Sequence, residues 1–239
     1  TKFPHRKDDD KTGEVVIYEA PYKNEKQQVP INMYVLCHDP YGQNQSADST
    51  SLGAAYVVKR PNNLSQPDDI IVASYVGRPQ TQDDYNRNLF LLADYYGCKI
   101  GFENDRGEVI AYAKRYRKLH KLQEEFEMLD KRELRSKTVK RQYGMHMTEA
   151  RKRQGEIYIR DWLNTVRRTD ENGNKLLNLH KIYDLAFLTE LMKFNHHGNF
   201  DRVMAFMIAM YHTRELYNVE VKDVLEDRAT DKWFDKNYY

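Results

Sequence analysis

The chain contains an almost continuous apolar run that ends on an acidic residue, INMYVLCHD at residues 31–39. A run that is apolar at consecutive positions is typical of a strand buried on both faces of a central sheet. Asp39 stands at the point where this strand ends. Residues 31–38 therefore predict a central strand with a carboxylate at its carboxyl end.

The segments around this run predict the rest of the sheet. Three further strands are expected at residues 14–18, 52–59 and 70–76, where short apolar runs are bounded by turn-forming residues. A helix over residues 81–97 and a strand over residues 98–102 follow. A strand–helix–strand order favours a right-handed crossover and parallel pairing. We therefore predict an α/β fold with a mixed central sheet flanked by helices.

The second half of the chain predicts mainly helices. Helical segments are expected at residues 108–122, 148–166 and 180–194, with a turn of hairpin type at residues 169–174. A last helix, capped by Asn199, would carry an apolar run from residue 203 to residue 210. The expected organisation is a flexible arm (residues 1–13), one domain (residues 14–217) and a polar tail (residues 218–239).

Positive charge is concentrated in one part of the chain. Residues 112–160 contain 15 of the 38 Lys and Arg residues but only 7 of the 36 Asp and Glu residues, although the net charge of the chain is +2. Segregated positive charge favours a polyanionic partner such as nucleic acid. The alternative is a solvated helical face, which needs no partner.

Several classes of protein are disfavoured by what the sequence lacks. There is no apolar run approaching ~18 residues, which a membrane helix would need, and no signal peptide, so we expect a soluble, intracellular protein. Cys37 and Cys98 both fall in predicted strands, which predicts buried thiols in a reducing compartment. The sequence contains no phosphate-binding loop, no paired Cys-x-x-Cys zinc motif and no Gly-x-Ser-x-Gly nucleophile motif.

Three acids stand at the ends of predicted elements. Asp39 and Glu103 each close a strand, and Asp201 opens the last helix. Carboxylates at the ends of neighbouring strands can converge with one from a helix start, and hard divalent cations take such oxygen ligands. Each acid also has a structural interpretation: Asp39 precedes a proline and could open a turn, Glu103 could be a solvated loop acid, and Asp201 could favour the helix dipole.

Other residues are weaker candidates for the same site. Asp48 could be a fourth metal ligand, and Asp105 and His197 could be accessory groups. Gly101, two residues before Glu103, would allow a close approach of another element. Phosphate-backbone contacts are expected from a group of basic residues in the predicted helix over residues 108–122: Lys114, Arg115, Arg117 and Lys118. Asp184 and Glu190 are interpreted as surface or salt-bridge residues.

Taken together, the acidic segments resemble a known family. These segments are VLCHDP at residues 35–40, DSTSLGAAY at residues 48–56, FENDRG at residues 102–107 and FNHHGNFDRVMA at residues 194–205. They are similar to segments of the C-terminal nuclease domain of the large terminase subunit of tailed bacteriophages, which belongs to the ribonuclease H-like superfamily. The resemblance spans roughly residues 14–214.

The resemblance implies an activity and a set of partners. By position, Asp39, Glu103 and Asp201 would bind two Mg²⁺ or Mn²⁺ ions and cut concatemeric double-stranded viral DNA during genome packaging. In the full-length protein an ATPase domain, the portal and the small terminase subunit would be partners, in the cytoplasm of the infected host. The alternatives are another ribonuclease H-like nuclease, such as a resolvase, transposase or ribonuclease H, or a catalytically silent module for DNA binding or motor docking.

Overall fold

In the computed structural model of the chain, the residues described are 13–41, 52–60, 69–104, 107–125, 143–195 and 198–217. The predicted arm and tail, apart from Gly13, lie outside these ranges.

A mixed five-stranded sheet forms the centre of the molecule, in the order β1-β4-β3-β2-β5. Its strands are β1 (Glu14–Ile17), β2 (Tyr34–Asp39), β3 (Gly53–Lys59), β4 (Ile70–Gly77) and β5 (Ile100–Phe102). Neighbouring strands are antiparallel except for β2 and β5, which pair in parallel. The predicted α/β class, a mixed central sheet flanked by helices, is confirmed.

Strand β2 begins later than the apolar run predicts. Residues 31–33 form a turn instead, in which Asn32 has a φ of 59° and Ile31 is 89% exposed. Asparagine tolerates this left-handed conformation better than most residues, so the local backbone overrides the apolar pattern there.

Two helices cover one face of the sheet, α1 (Gln82–Tyr96) and α2 (Glu108–Arg115). Helix α1 has the predicted ends: the Thr81 side chain accepts the Asp84 N–H, and Gly97 ends the helix with a φ of 61°. The prediction that the second helix continues to residue 122 is wrong. Arg117 takes a φ of 57°, and the chain turns so that Leu122 forms a bridge to the first residue of β5.

Three helices cover the other face: α3 (Glu149–Leu163), α4 (Leu185–Lys193) and α5 (residues 201–217). Helix α3 ends before Val166, which instead starts the predicted hairpin of β6 (Val166–Thr169) and β7 (Lys175–Leu177). Helix α4 starts five residues later than predicted, because a 3₁₀ turn occupies Asn178–Lys181 and the Asp184 side chain then caps the helix.

The two faces of the sheet bury separate apolar clusters. On the α1 and α2 face, Leu36 and Phe102 pack among the buried aromatic side chains of α1. On the other face, Cys37 and Tyr56 pack against α5, whose residues 205–209 are fully buried. Alternate residues of β2 therefore point to different helical layers.

The two cysteines are buried and free, as predicted. Burial raises the pKa of the Cys98 thiol to about 12 and raises that of Cys37 well above its usual value. Both side chains are therefore neutral thiols that serve as small apolar groups. Among the described residues, the helices are too short or too polar to span a membrane.

We predict that a buried histidine on α5 makes the fold sensitive to acid. Burial, assisted by the positive charges of Arg60 and Lys99, lowers the pKa of His212 from 6.5 to about 3. Between these values the unfolded chain binds a proton at His212 that the folded chain does not. The free energy of unfolding should therefore fall as pH decreases through this window, by up to about 1.4 kcal/mol per pH unit from this residue.

Urea unfolding of the wild type and His212→Gln between pH 7 and pH 4 tests this prediction. The variant should lose less stability on acidification than the wild type. Parallel stability–pH profiles for the two proteins would contradict it. His38, whose pKa burial also lowers to about 3, remains in both proteins.

Candidate functional site

Asp39 and Glu103 are neighbours at the carboxyl ends of two parallel strands. The register pairs Cys37 with Gly101 and His38 with Phe102, and the Glu103 N–H donates to the His38 carbonyl at 3.3 Å. Residues in register on adjacent strands point to the same face of a sheet. By this alternation the two carboxylates belong to the face that α5 covers, because Cys37 packs there.

Asp201 reaches the same edge of the sheet from the start of α5. Its Oδ2 accepts the Leu52 N–H at 2.8 Å and a weaker bond from Asn199 Nδ2 at 3.3 Å. Leu52 directly precedes β3, in which Ala54 is the register partner of Asp39. The structure therefore brings the carboxylate of Asp201 to the end of β3 that lies beside Asp39.

The charges of Asp39 and Asp201 both affect the pKa of one buried phenol, Tyr85. Burial raises the pKa of Tyr85 well above its usual value, and the charges of Tyr75, Asp39 and Asp201 act in the same direction. Asp39 and Asp201, which lie 162 positions apart in the sequence, therefore act on the same buried phenol.

Three acids at one edge fit the donor chemistry of a hard divalent cation, since they offer only oxygen ligands. The described residues nevertheless contain no group of three His, Cys, Asp or Glu side chains arranged to hold a metal ion. Three other predicted contributors, Asp48, Asp105 and His197, lie outside the described ranges. A metal site at this edge therefore remains a prediction.

His38, which the sequence analysis did not select, lies directly behind this edge. Its side chain points to the opposite face from Asp39, and its ring centroid is 5.2 Å from that of Tyr85. Burial lowers its pKa to about 3, so the imidazole is neutral at ordinary pH. A histidine inside an otherwise apolar strand is the sequence signal that could have identified it.

The predicted phosphate-contacting residues lie on the other helical layer: Lys114 and Arg115 in the last turn of α2, and Arg117 and Lys118 just beyond it. Two of them are engaged within the molecule: Arg115 forms an ion pair with Asp83, and Lys118 Nζ lies 3.3 Å from Asp94 Oδ2. Lys114 and Arg117 are exposed. Two of the four basic residues, Arg115 and Lys118, therefore form ion pairs with acids of α1.

No protein-family model matches the chain, and no curated protein matches it either. Solved structures with a similar fold include the large terminase nuclease from thermophilic phage G20c with bound zinc. That structure has a TM-score of 0.49 and 12% sequence identity, over 83% of this chain and 90% of that chain. A second structure of the G20c large terminase nuclease has a TM-score of 0.40 and 15% identity, over 82% and 86% of the two chains. Identities this low do not assign an activity to the chain.

We predict that Gly101 is required for α5 to lie close to β5. A Cβ atom at this position would lie 2.8 Å from Cys37 Sγ and 3.3 Å from His212 Nδ1. Gly101→Ala should therefore lower the free energy of unfolding by about 1–3 kcal/mol, as overpacking of a core does.

The double variant Cys37→Ala/Gly101→Ala provides the control in the same urea titration, because removal of the sulfur relieves the closest contact. The double variant should be more stable than the sum of the two single changes predicts. Additive losses would show that the Gly101 contact does not limit the packing.

Proposed function

We propose that the chain is a metal-dependent endonuclease that cuts double-stranded DNA. The observation that carries the proposal is the position of Asp39 and Glu103, side by side at the ends of parallel strands. Asp201 supports it, because its carboxylate turns to the same edge. These are the three acids that the resemblance to terminase nucleases selects.

Repulsion between the carboxylates would favour cation binding at this edge of the sheet. Carboxylates held close together oppose each other's ionisation, and a bound cation offsets that repulsion. Asp39, between the other two acids, would contact two Mg²⁺ or Mn²⁺ ions, with Glu103 and Asp201 completing the ligand set. Ions in such a site supply an activated water and stabilise the oxygen that leaves the phosphate. Asp48 would add a ligand, and His197 and Asp105 would be accessory groups.

The proposed substrate follows from charge and from the resemblance. The excess of Lys and Arg between residues 112 and 160 suits a polyanion. The four basic residues in and just after α2 contribute to that excess. The resemblance makes the substrate concatemeric viral DNA in the host cytoplasm, cut as it is packaged. The ATPase domain of the full-length protein, the portal and the small terminase subunit would then be partners.

Replacement of Asp39 is the direct test. Asp39→Asn should fold like the wild type, because the amide keeps the shape of the side chain, but should lower the rate of plasmid cleavage in Mn²⁺ by about 10²-fold or more. Asp170→Asn is the matched control. This exposed acid in the β6–β7 turn lies outside the proposed site, and its replacement should leave the rate unchanged.

Equal cleavage by Asp39→Asn and the wild type would refute the assignment of the site. Absence of cleavage by the wild type with every divalent ion, alongside salt-sensitive DNA binding, would indicate a silent binding module. Far faster cleavage of a four-way junction or an RNA–DNA hybrid than of duplex DNA would indicate another ribonuclease H-like nuclease.

A second prediction concerns the exposed basic residues. Lys114→Ala/Arg117→Ala should weaken binding to duplex DNA of any sequence and reduce the slope of log K against log salt by about 2, because two phosphate contacts are lost. Fluorescence anisotropy over a salt series measures both effects. Lys23→Ala/Lys26→Ala, which removes two exposed lysines that lie outside the basic segment of residues 112–160, should leave the slope unchanged.

A further inference from the structure

The start of helix α5 is capped from outside the helix. The first N–H groups of any helix lack partners within it, and an acid in the first turn commonly stabilises that end. Here the Arg202 N–H is accepted by Oε2 of Glu190, on α4, at 3.1 Å. Asp201, the acid of the first turn, instead accepts the Leu52 N–H next to β3. Asn199, the cap predicted from the sequence, precedes the helix by two residues and donates to Asp201.

The same glutamate also holds the side chain of Arg202. Its Oε1 accepts a hydrogen bond from Arg202 Nη1 at 2.6 Å, and the two side chains are only 20% and 21% exposed. A charge-assisted bond in a partly buried setting is stronger than one between exposed groups. One carboxylate thus fixes both the backbone and the side chain of the residue that follows Asp201.

Helix α4 is in turn tied to the central sheet. Asp184 caps α4 through Oδ1, which accepts the N–H groups of Ala186 and Phe187 at 3.0 Å. Its Oδ2 accepts the Tyr56 hydroxyl at 2.6 Å, and Tyr56 is the register partner of Cys37, two residues before Asp39. Arg202 Nε lies 3.9 Å from the same Oδ2. These contacts link β3, α4 and the start of α5 into one unit.

We infer that Glu190, paired with Arg202, is a positioning residue that holds the carboxylate of Asp201 at the end of β3 that lies beside Asp39. Because Glu190 accepts the Arg202 N–H, the side chain of Asp201 is not needed to cap the helix and accepts the Leu52 N–H at the edge of the sheet instead. Glu190 also forms an ion pair with the Arg202 guanidinium, so this positive charge is held beside α4 and not beside the neighbouring Asp201. The consequence for catalysis rests on the proposed function, whereas the orientation of Asp201 does not.

Glu190→Gln tests the inference, because the amide keeps the size of the side chain and removes its charge. In the metal-free protein, the Leu52 amide should exchange with solvent about tenfold faster, since its acceptor on Asp201 is no longer held in place. Mn²⁺ binding, measured by electron paramagnetic resonance of the free ion, should weaken about tenfold. Plasmid cleavage should recover when the Mn²⁺ concentration is raised.

Glu19→Gln is the matched control. Glu19 forms a partly exposed ion pair with Lys59 at 3.0 Å, at the opposite end of β3 from Leu52. This change should leave Leu52 exchange, Mn²⁺ affinity and cleavage unchanged. If Glu190→Gln proves less stable than this control, the same measurements are made on Arg202→Lys. This variant keeps the positive charge at residue 202 but loses the forked geometry of the guanidinium. It should shift Leu52 exchange and Mn²⁺ affinity in the same direction by a smaller factor.

The outcomes separate the inference from the proposed function. Unchanged Leu52 exchange and Mn²⁺ affinity in Glu190→Gln would overturn the inference, even if the wild type cuts DNA. Faster Leu52 exchange in Glu190→Gln would support it, even if the wild type neither binds Mn²⁺ nor cuts DNA, and the proposed function alone would then fail.

Discussion

The parallel pairing of β5 with β2 is the constraint on which the candidate site depends. It sets Gly101 beside Cys37 and carries Glu103 to the position next to Asp39, although 63 residues separate these acids in the sequence. A slip of one residue in this register would turn the Glu103 side chain to the opposite face. The register is held by burial on both faces: Leu36 and Phe102 pack toward α1 and α2, whereas Cys37 packs toward α5.

The same pairing determines where α5 can lie. Gly101 has no side chain, so His212 and Ile208 of α5 approach the backbone of β5 directly. Residues 205–209 of this helix are fully buried, which fixes its axis against the sheet. Because α5 begins at Asp201, the packing of its middle also decides how far its first residue extends over the edge. The core and the candidate site are therefore parts of one packing arrangement.

The sequence predicts the sheet and the acids better than it predicts where helices end. Asp39 and Glu103 could be found because each directly follows an apolar run. The end of α2 could not, because it depends on the left-handed φ of Arg117 and on the contact of Leu122 with β5. Glu190 is the salt-bridge residue that the sequence predicts, but its partner Arg202 could not be predicted because it belongs to another helix. Local patterns predict local structure, and these features depend on distant contacts.

Two side chains behind this edge, His38 and Tyr85, carry no positive charge that would neutralise the carboxylates. Burial keeps His38 neutral, and burial together with nearby charges keeps Tyr85 protonated, so neither supplies a positive charge. For Arg202, burial lowers the pKa, but Tyr56, Glu190 and Asp184 more than compensate and raise it, so it stays charged while held by its acidic partners. A fold that needed only stability could have paired Arg202 with Asp201 directly. Arg202 instead pairs with Glu190 and Asp184, while Asp201 accepts hydrogen bonds from the Leu52 N–H and the Asn199 side-chain amide.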